Sequence, residues 1–224
     1  MNICIIIPAY NEAVALNSLL SRLKNFFTLV VDDGSTDDTF KVASFAASAV
    51  LRNDINRGKG AALRKGIAHI LSRGDFDYIL FMDADGQHCV EDIPLFLAKA
   101  EDGYEFILGN RMHDHKKMPL VRYLTNRLMS WFISIMTRSD IPDSQCGFRM
   151  ISCELLRKID LVTDRFEIES EMLFKAADLR MSIHSVNIRT IYSLDAHSHI
   201  RPWRDTLRFI SFIFRSGIIK KKKR

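Results

Sequence analysis

Short apolar runs recur along the first half of the chain, at residues 3–7, 27–31, 49–51, 78–82 and 106–108. Each is rich in Ile, Val, Leu or Phe, the composition of buried strands. Between them, residues 12–24, 39–47, 60–71 and 90–100 repeat apolar positions at helical spacing. Strands apolar on both faces, alternating with helices, predict a mainly parallel α/β sheet covered on both sides and built from right-handed crossovers. Ligands of such sheets bind at the carboxyl ends of the strands. Past residue 110 the pattern changes. A basic loop at 113–117 leads to a long apolar helix at 120–136, a loop at 140–147, a helix at 167–177, an extended stretch at 181–192 and a last helix from about residue 204. No repeat is visible, so this second part reads as an acceptor-side addition or lid on the same sheet. Residues 1–200 are expected to form the main domain and 201–224 a separate segment.

A chain of 224 residues, 47% hydrophobic and 26% charged, can bury one substantial core. Residues 1–8 read as the first strand and carry no basic flank or cleavage site of an export signal. No window reaches the roughly 18 consecutive apolar residues of a spanning helix. Cys4, Cys89, Cys146 and Cys153 form no metal or disulfide spacing and are expected to be buried thiols in a reducing, cytosolic compartment. The formal charge is +5, but residues 201–224 contain nine Lys or Arg and a single acid. The excess is therefore a tail and not a basic face, which argues against nucleic acid as the partner.

Three strand ends carry candidate chemistry. The first runs into Pro8-Ala9-Tyr10-Asn11-Glu12, where Asn11 can cap the next helix and Tyr10 offers a ring for stacking on a base. Taken alone, this segment reads equally as an ordinary strand-to-helix turn. The second ends in Asp32-Asp33-Gly34-Ser35-Thr36-Asp37. Adjacent carboxylates there repel unless base N–H groups, ribose hydroxyls or helix amides accept them, whereas capping alone accounts for Asp37. The fourth enters Asp83-Ala84-Asp85-Gly86-Gln87-His88. Extended-chain alternation puts Asp83, Asp85 and Gln87 on one face, with Ala84 leaving room for a ligand. Oxygen ligands of this kind suit Mg²⁺ or Mn²⁺. His113-x-His115 and His197-x-His199 lack a third ligand and read as loop histidines.

These segments, with Gly58-Lys59-Gly60-Ala61 and Gly109-x-Arg111, resemble in order and spacing the family 2 glycosyltransferases of GT-A fold, a Rossmann-like, mainly parallel sheet with flanking helices. Residues 143–149 (Asp-Ser-Gln-Cys-Gly-Phe-Arg), 166–169 (Phe-Glu-Ile-Glu) and 198–201 (Ser-His-Ile-Arg) are similar, more loosely, to the dolichyl-phosphate mannose and glucose synthases. The resemblance implies that Pro8, Ala9, Tyr10, Glu12, Asp33, Lys59, Asp83 and Ala84 surround the nucleotide. It implies a metal on Asp83, Asp85 and Gln87, and a sugar near Gln87, Asp143 and Glu169. Arg111, Arg122, Ser198 and Arg201 would face the acceptor phosphate, with Asp85, Arg111 and Arg201 central to the reaction. The loop between Arg111 and Arg122 is short and basic here (His113, His115, Lys116, Lys117), and the two C-terminal spanning helices of many bacterial relatives are not found.

The activity implied is inverting transfer of a sugar from a nucleoside diphosphate sugar, GDP-mannose or UDP-glucose foremost, to a polyprenyl phosphate. The rivals are the same fold acting on a saccharide hydroxyl, with Asp143 or Glu169 as base, and a non-catalytic nucleotide-sugar-binding scaffold. The 120–136 helix reads as core, the alternative being a face resting on lipid. Residues 206–219 interleave Leu, Phe and Ile with Arg and precede the Lys220–Arg224 run. That is the pattern of an amphipathic helix peripheral on the cytosolic face of a membrane.

Overall fold

The computed structural model describes residues 1–114 and 118–191. The expected strands appear as β1 (Ile3–Ala9), β2 (Phe27–Asp32), β3 (Ala49–Arg52), β4 (Tyr78–Phe81) and β5 (Phe106–Asn110). The helices between them are α1 (Ala13–Arg22), α2 (Thr39–Ala46), α3 (Lys59–Arg73) and α4 (Ile93–Glu101), the last preceded by a 3₁₀ turn at Val90–Asp92. A second 3₁₀ turn, Met112–Asp114, precedes α5 (Leu120–Thr137). Then come β6 (Arg149–Ser152), α6 (Cys153–Lys158), α7 (Glu167–Asp178) and β7 (Ile183–Asn187).

Among the described residues seven strands form one sheet in the order β3-β2-β1-β4-β6-β5-β7. Every pairing is parallel except those of β6, which runs antiparallel to both β4 and β5. The sheet is therefore mainly parallel, as expected, but the later part of the chain does more than cover it. β6 and β7 complete it from inside and at one edge. Neither β6 nor α6 was expected: four residues, one of them Arg149, give little periodicity to read. The side chains of Ile5–Ile7, Leu29–Val31, Ile79–Phe81, Phe106–Leu108, Met150 and Ile151 are buried and form the core.

Local chemistry sets the helix ends. Gly58 (φ +105°) precedes α3 and Gly74 (φ +75°) closes it in the left-handed conformation a side chain resists. A Cβ on Gly66 would stand 3.1 Å from Ile6 and Val31, so α3 lies close on the sheet. Pro94 occupies the first turn of α4, and the Ser152 hydroxyl caps α6 by accepting from Leu155 N (3.0 Å). Asn11 is not the cap expected for α1. It takes φ +54°, and its Oδ1 accepts from Thr36 N (2.9 Å), while Asp37 reaches Ala13 N (3.3 Å) and Thr39 N (3.0 Å). Asp37 thus serves the starts of both α1 and α2.

α5 packs against α7 and buries Asn126, Ser130 and Ile133, but it is not a core helix all round. Leu120, Leu124, Leu128, Trp131 and Ile135 lie along one stripe and are 47–70% exposed. Among the described residues no helix is long and apolar enough to cross a membrane. All four cysteines are free and buried, and burial pushes the Cys4 and Cys146 thiols up to about 12. Residues 115–117, the end of the expected 181–192 strand, the 200/201 boundary and the amphipathic helix of 201–224 lie outside the described residues.

Candidate active site

The carboxyl ends of β1, β2 and β4 lie side by side, since β1 pairs with both neighbours in parallel register. At the first, Tyr10 is partly exposed, Pro8 is half-buried and Ala9 is buried. Glu12 N donates to Thr39 Oγ1 (2.8 Å). At the second, the adjacent carboxylates find their partners within the protein. Asp32 accepts from Ser35 N (3.2 Å) and pairs with Arg52 (3.0 Å). Asp33 accepts from Asn53 Nδ2 (2.8 Å), Arg57 N (3.0 Å) and Gly58 N (2.7 Å). Three of the roughly four lone-pair sites of Asp33 are so filled, and one function of this residue is to shape the loop that presents Lys59.

After β4 the chain does not stay extended. Gly86 takes φ +71°, and Asp85 Oδ1 accepts from Gln87 N (3.0 Å) across the turn. Strand alternation therefore does not put Asp83, Asp85 and Gln87 on one face. A side-chain-capped turn joins Asp85 to Gln87 just after Asp83, with Ala84 buried. The Gln87 carbonyl accepts from Ile191 N (3.0 Å) and His88 bridges to Thr190, which ties this turn to the extension of β7. His88 Nδ1 accepts from Asp83 N (3.1 Å), which requires a neutral ring with the proton on Nε2. Burial, stronger here than the pull of Asp83, holds the imidazole below its usual range.

Lys59 joins the parts. Its Nζ lies 2.5 Å from Asp83 Oδ1 and 2.6 Å from Glu169 Oε1, the latter in the first turn of α7. Burial alone would raise the Asp83 carboxyl, but the Lys59 ammonium, with the Arg111 guanidinium adding to it, overcomes this and holds the group at about 2. Burial likewise works against the Lys59 ammonium, and its two carboxylates more than offset it, raising the group above its ordinary value.

Arg111 and Asp143, expected at the acceptor phosphate and the sugar, lie against each other. Arg111 Nε and a terminal nitrogen reach the two Asp143 oxygens at 2.7 and 2.9 Å, and its amide adds a third bond at 3.2 Å. Both side chains are buried. Burial pushes the Asp143 carboxyl up and the guanidinium more than reverses this, leaving it below the usual carboxylate range. Arg122 is half-buried in the first turn of α5. Ser198 and Arg201 lie outside the described residues.

Two residues to which the sequence reading assigned no role support the site. Antiparallel register sets Phe81 opposite Arg149, and continuing it brings Gly147 against Asp83. A Cβ on Gly147 would stand 2.6 and 2.9 Å from the Asp83 oxygens. Arg149, fully buried, donates to the carbonyls of Cys146 (2.6 and 3.2 Å) and Glu169 (2.7 Å). It ties the Gly147 loop to the start of α7. The signal for both lay in residues 143–149, but the register that gives them meaning did not.

Residues 4–160 match the family model described as glycosyl transferase family 2. The chain belongs to that family. This family 2 glycosyltransferase is 33% identical over 205 residues to undecaprenyl-phosphate mannosyltransferase of Micrococcus luteus, covering 84% of this chain and 83% of the relative. It is 29% identical over 217 residues to UDP-N-acetylglucosamine–dolichyl-phosphate N-acetylglucosaminyltransferase of Methanococcus voltae, covering 85% and 86%. The solved structure of glucosyl-3-phosphoglycerate synthase from Mycobacterium tuberculosis, in complex with Mn²⁺, UDP and glucosyl-3-phosphoglycerate, matches with a TM-score of 0.73 at 19% identity. That match covers 96% of this chain and 80% of the synthase, and it establishes the shared GT-A fold.

Proposed function

We propose that this glycosyltransferase moves one sugar, with inversion, from a nucleoside diphosphate sugar to a polyprenyl phosphate at the cytosolic surface of a membrane. The observation that carries the choice of acceptor is the state of the two candidate bases. A saccharide hydroxyl needs a base to take its proton, whereas a phosphate is already anionic at neutral pH. Asp143 is buried in a bidentate pair with Arg111, and Glu169 is held by Lys59. Neither is disposed as a base, and a phosphate acceptor requires none. The two named relatives act, by their names, on polyprenyl phosphates and differ in the sugar. GDP-mannose and UDP-glucose remain the donors to test first.

In this reading Tyr10 stacks on the base beside Pro8 and Ala9, and Glu12 with the remaining lone pair of Asp33 takes hydroxyl or base N–H groups. The described residues contain no group of three or more His, Cys, Asp or Glu that would enclose a metal. Two carboxylates on one turn nevertheless fit Mg²⁺ or Mn²⁺, which keeps waters and shares phosphate oxygens. Asp83 and Asp85, with Gln87, would hold it, and when bound it neutralises the departing diphosphate. Lys59 would add charge to the same leaving group, and Glu169 would take a sugar hydroxyl. With Arg111 neutralised by Asp143, the acceptor phosphate falls to Arg122, Ser198 and Arg201, and Arg111 acts by holding the loop after β5. The exposed stripe of α5 suits the lipid surface in which such an acceptor is dissolved.

The test is incubation of the purified protein with Mg²⁺ or Mn²⁺, a panel of sugar nucleotides and a short polyprenyl phosphate, with the product's anomeric configuration determined. A glycolipid of inverted configuration is the expected product. Transfer to a saccharide hydroxyl, with none to the polyprenyl phosphate, would refute the reading.

A further inference from the structure

Lys59 opens α3 immediately after Gly58, and that start cannot swing away. A Cβ on Gly60 would stand 2.6–2.7 Å from the main chain of residues 163–165, and Ala61 N donates to Asp164 O (3.0 Å). Glu171, fully buried on α7, holds the other side of that loop by accepting from Val162 N and Thr163 N (each 3.0 Å) and from Thr163 Oγ1 (2.6 Å). The backbone that carries Lys59 is therefore held in place, and its ammonium lies between the turn after β4 and the first turn of α7. Its side chain is 14% exposed, Asp83 28% and Glu169 8%.

We propose that Lys59 is a resident counter-cation on Asp83, which competes with a divalent ion for that carboxylate and is released from it by the diphosphate of the nucleotide. The inference rests on the metal reading of Asp83 and Asp85 given above. An ammonium bound to Asp83 Oδ1 neutralises that carboxylate and repels a second cation brought to the same group. A diphosphate supplies new anionic oxygens beside Lys59. Because Glu169 remains its partner throughout, Lys59 can turn from Asp83 towards them without becoming a buried, unpaired charge. The metal alone then binds weakly, and metal and diphosphate bind together. Glu169 gains a role distinct from sugar recognition, as the tether that keeps Lys59 in reach of both positions.

Mn²⁺ alone, followed by loss of the free-ion electron paramagnetic resonance signal, is titrated into the full-length wild type, Lys59→Met and the double variant Lys59→Met/Asp85→Asn. Lys59→Met is expected to bind Mn²⁺ about tenfold or more tightly than wild type, and the double variant to lose the gain. Equal affinities in wild type and Lys59→Met overturn the role of Lys59. Thermal unfolding of the wild type decides the matter should Lys59→Met fail to fold. Its Tm is expected to rise with Mn²⁺ plus UDP, GDP or dTDP and to stay unchanged with Mn²⁺ alone. An equal rise with Mn²⁺ alone overturns the inference and leaves the metal site standing. No response to Mn²⁺ with any of the nucleotides overturns the metal reading, and Lys59's role with it.

Discussion

Gly147, which backs the Asp83 carboxylate, and Asp85, two residues further along the same turn, separate positioning from ligation. In Gly147→Ala the new methyl would press on both Asp83 oxygens at less than 3 Å, so the carboxylate must leave its place beside Lys59. Catalytic efficiency should fall by about tenfold or more, measured as kcat/KM for transfer. Gly74→Ala is the control: nothing lies within 4 Å of its Cβ, and the left-handed φ should cost about 1–2 kcal/mol of stability with no change in kcat/KM. Asp85→Ala removes a half-exposed carboxylate, the proposed metal ligand, and no core volume. Transfer should drop at least about 100-fold while circular dichroism and Tm stay close to wild type; undiminished turnover would remove Asp85 from the metal site. The Arg111–Asp143 pair predicts a pH effect on stability. Because the folded carboxyl lies below its unfolded value, its contribution is complete above about pH 4 and is lost as pH falls through the folded pKa. Denaturant midpoints of wild type should therefore decline between about pH 4 and pH 2, and Asp83, at about 2, titrates in the same window. At neutral pH Arg111→Met, which strands a buried Asp143, should cost about 3–5 kcal/mol. The family resemblance implied that Lys59, Asp83, Asp85, Arg111 and Asp143 lie near a ligand, but not that Arg111 and Asp143 neutralise each other. Pairing across that distance in the chain depends on where β5 ends and where the loop before β6 turns back.

Among the elements, the first five strands were legible because each is a run apolar on both faces, bounded by turn residues. β6 was not, because its buried polar end, Arg149, finds its partners in main-chain carbonyls that only the folded loop supplies. α5 was half legible. Its apolar residues suggested a core helix, yet the face buried on the protein is led by Asn126, Ser130 and Ile133, and the larger side chains point outward. At spacings of three and four residues, Leu120, Leu124, Leu128, Trp131 and Ile135 form a continuous stripe. Each half-exposed Leu moved out of water contributes about 1 kcal/mol. The double variant Leu128→Glu/Trp131→Glu should weaken sedimentation with anionic vesicles by about tenfold or more, with nucleotide binding unchanged. Vesicle binding equal to wild type would detach α5 from the membrane reading.

For the whole molecule, the division of labour follows the sheet. The parallel half, β3-β2-β1-β4, carries the strand ends proposed for the nucleotide, and β6 with the loop before it returns Arg149 and Gly147 to the same edge. The charge is divided too, with the cations of residues 220–224 set apart from a nearly balanced remainder. Deleting those five residues should reduce binding to anionic vesicles and flatten its dependence on salt, each cation near such a surface being worth about 1 kcal/mol before screening. Transfer to a short, soluble acceptor should be preserved. Vesicle binding that is unchanged and insensitive to ionic strength would dissociate the tail from membrane attachment.

The place of β6 between β4 and β5 has a consequence for biosynthesis. A chain leaving the ribosome exposes the whole Asp83–His88 turn while the strand that must lie beside β4 is still unmade. β4 then lacks one neighbour, and Asp83 has neither Gly147 behind it nor Glu169 to share Lys59. Pairings between strands so far apart in sequence form late, because the loop between them must close first. A nascent or truncated chain ending before α5 would carry every nucleotide motif of the first half and still have an open sheet edge at β4. Emergence of β6 and α7, and not of the motif itself, is the moment at which this enzyme first acquires its site.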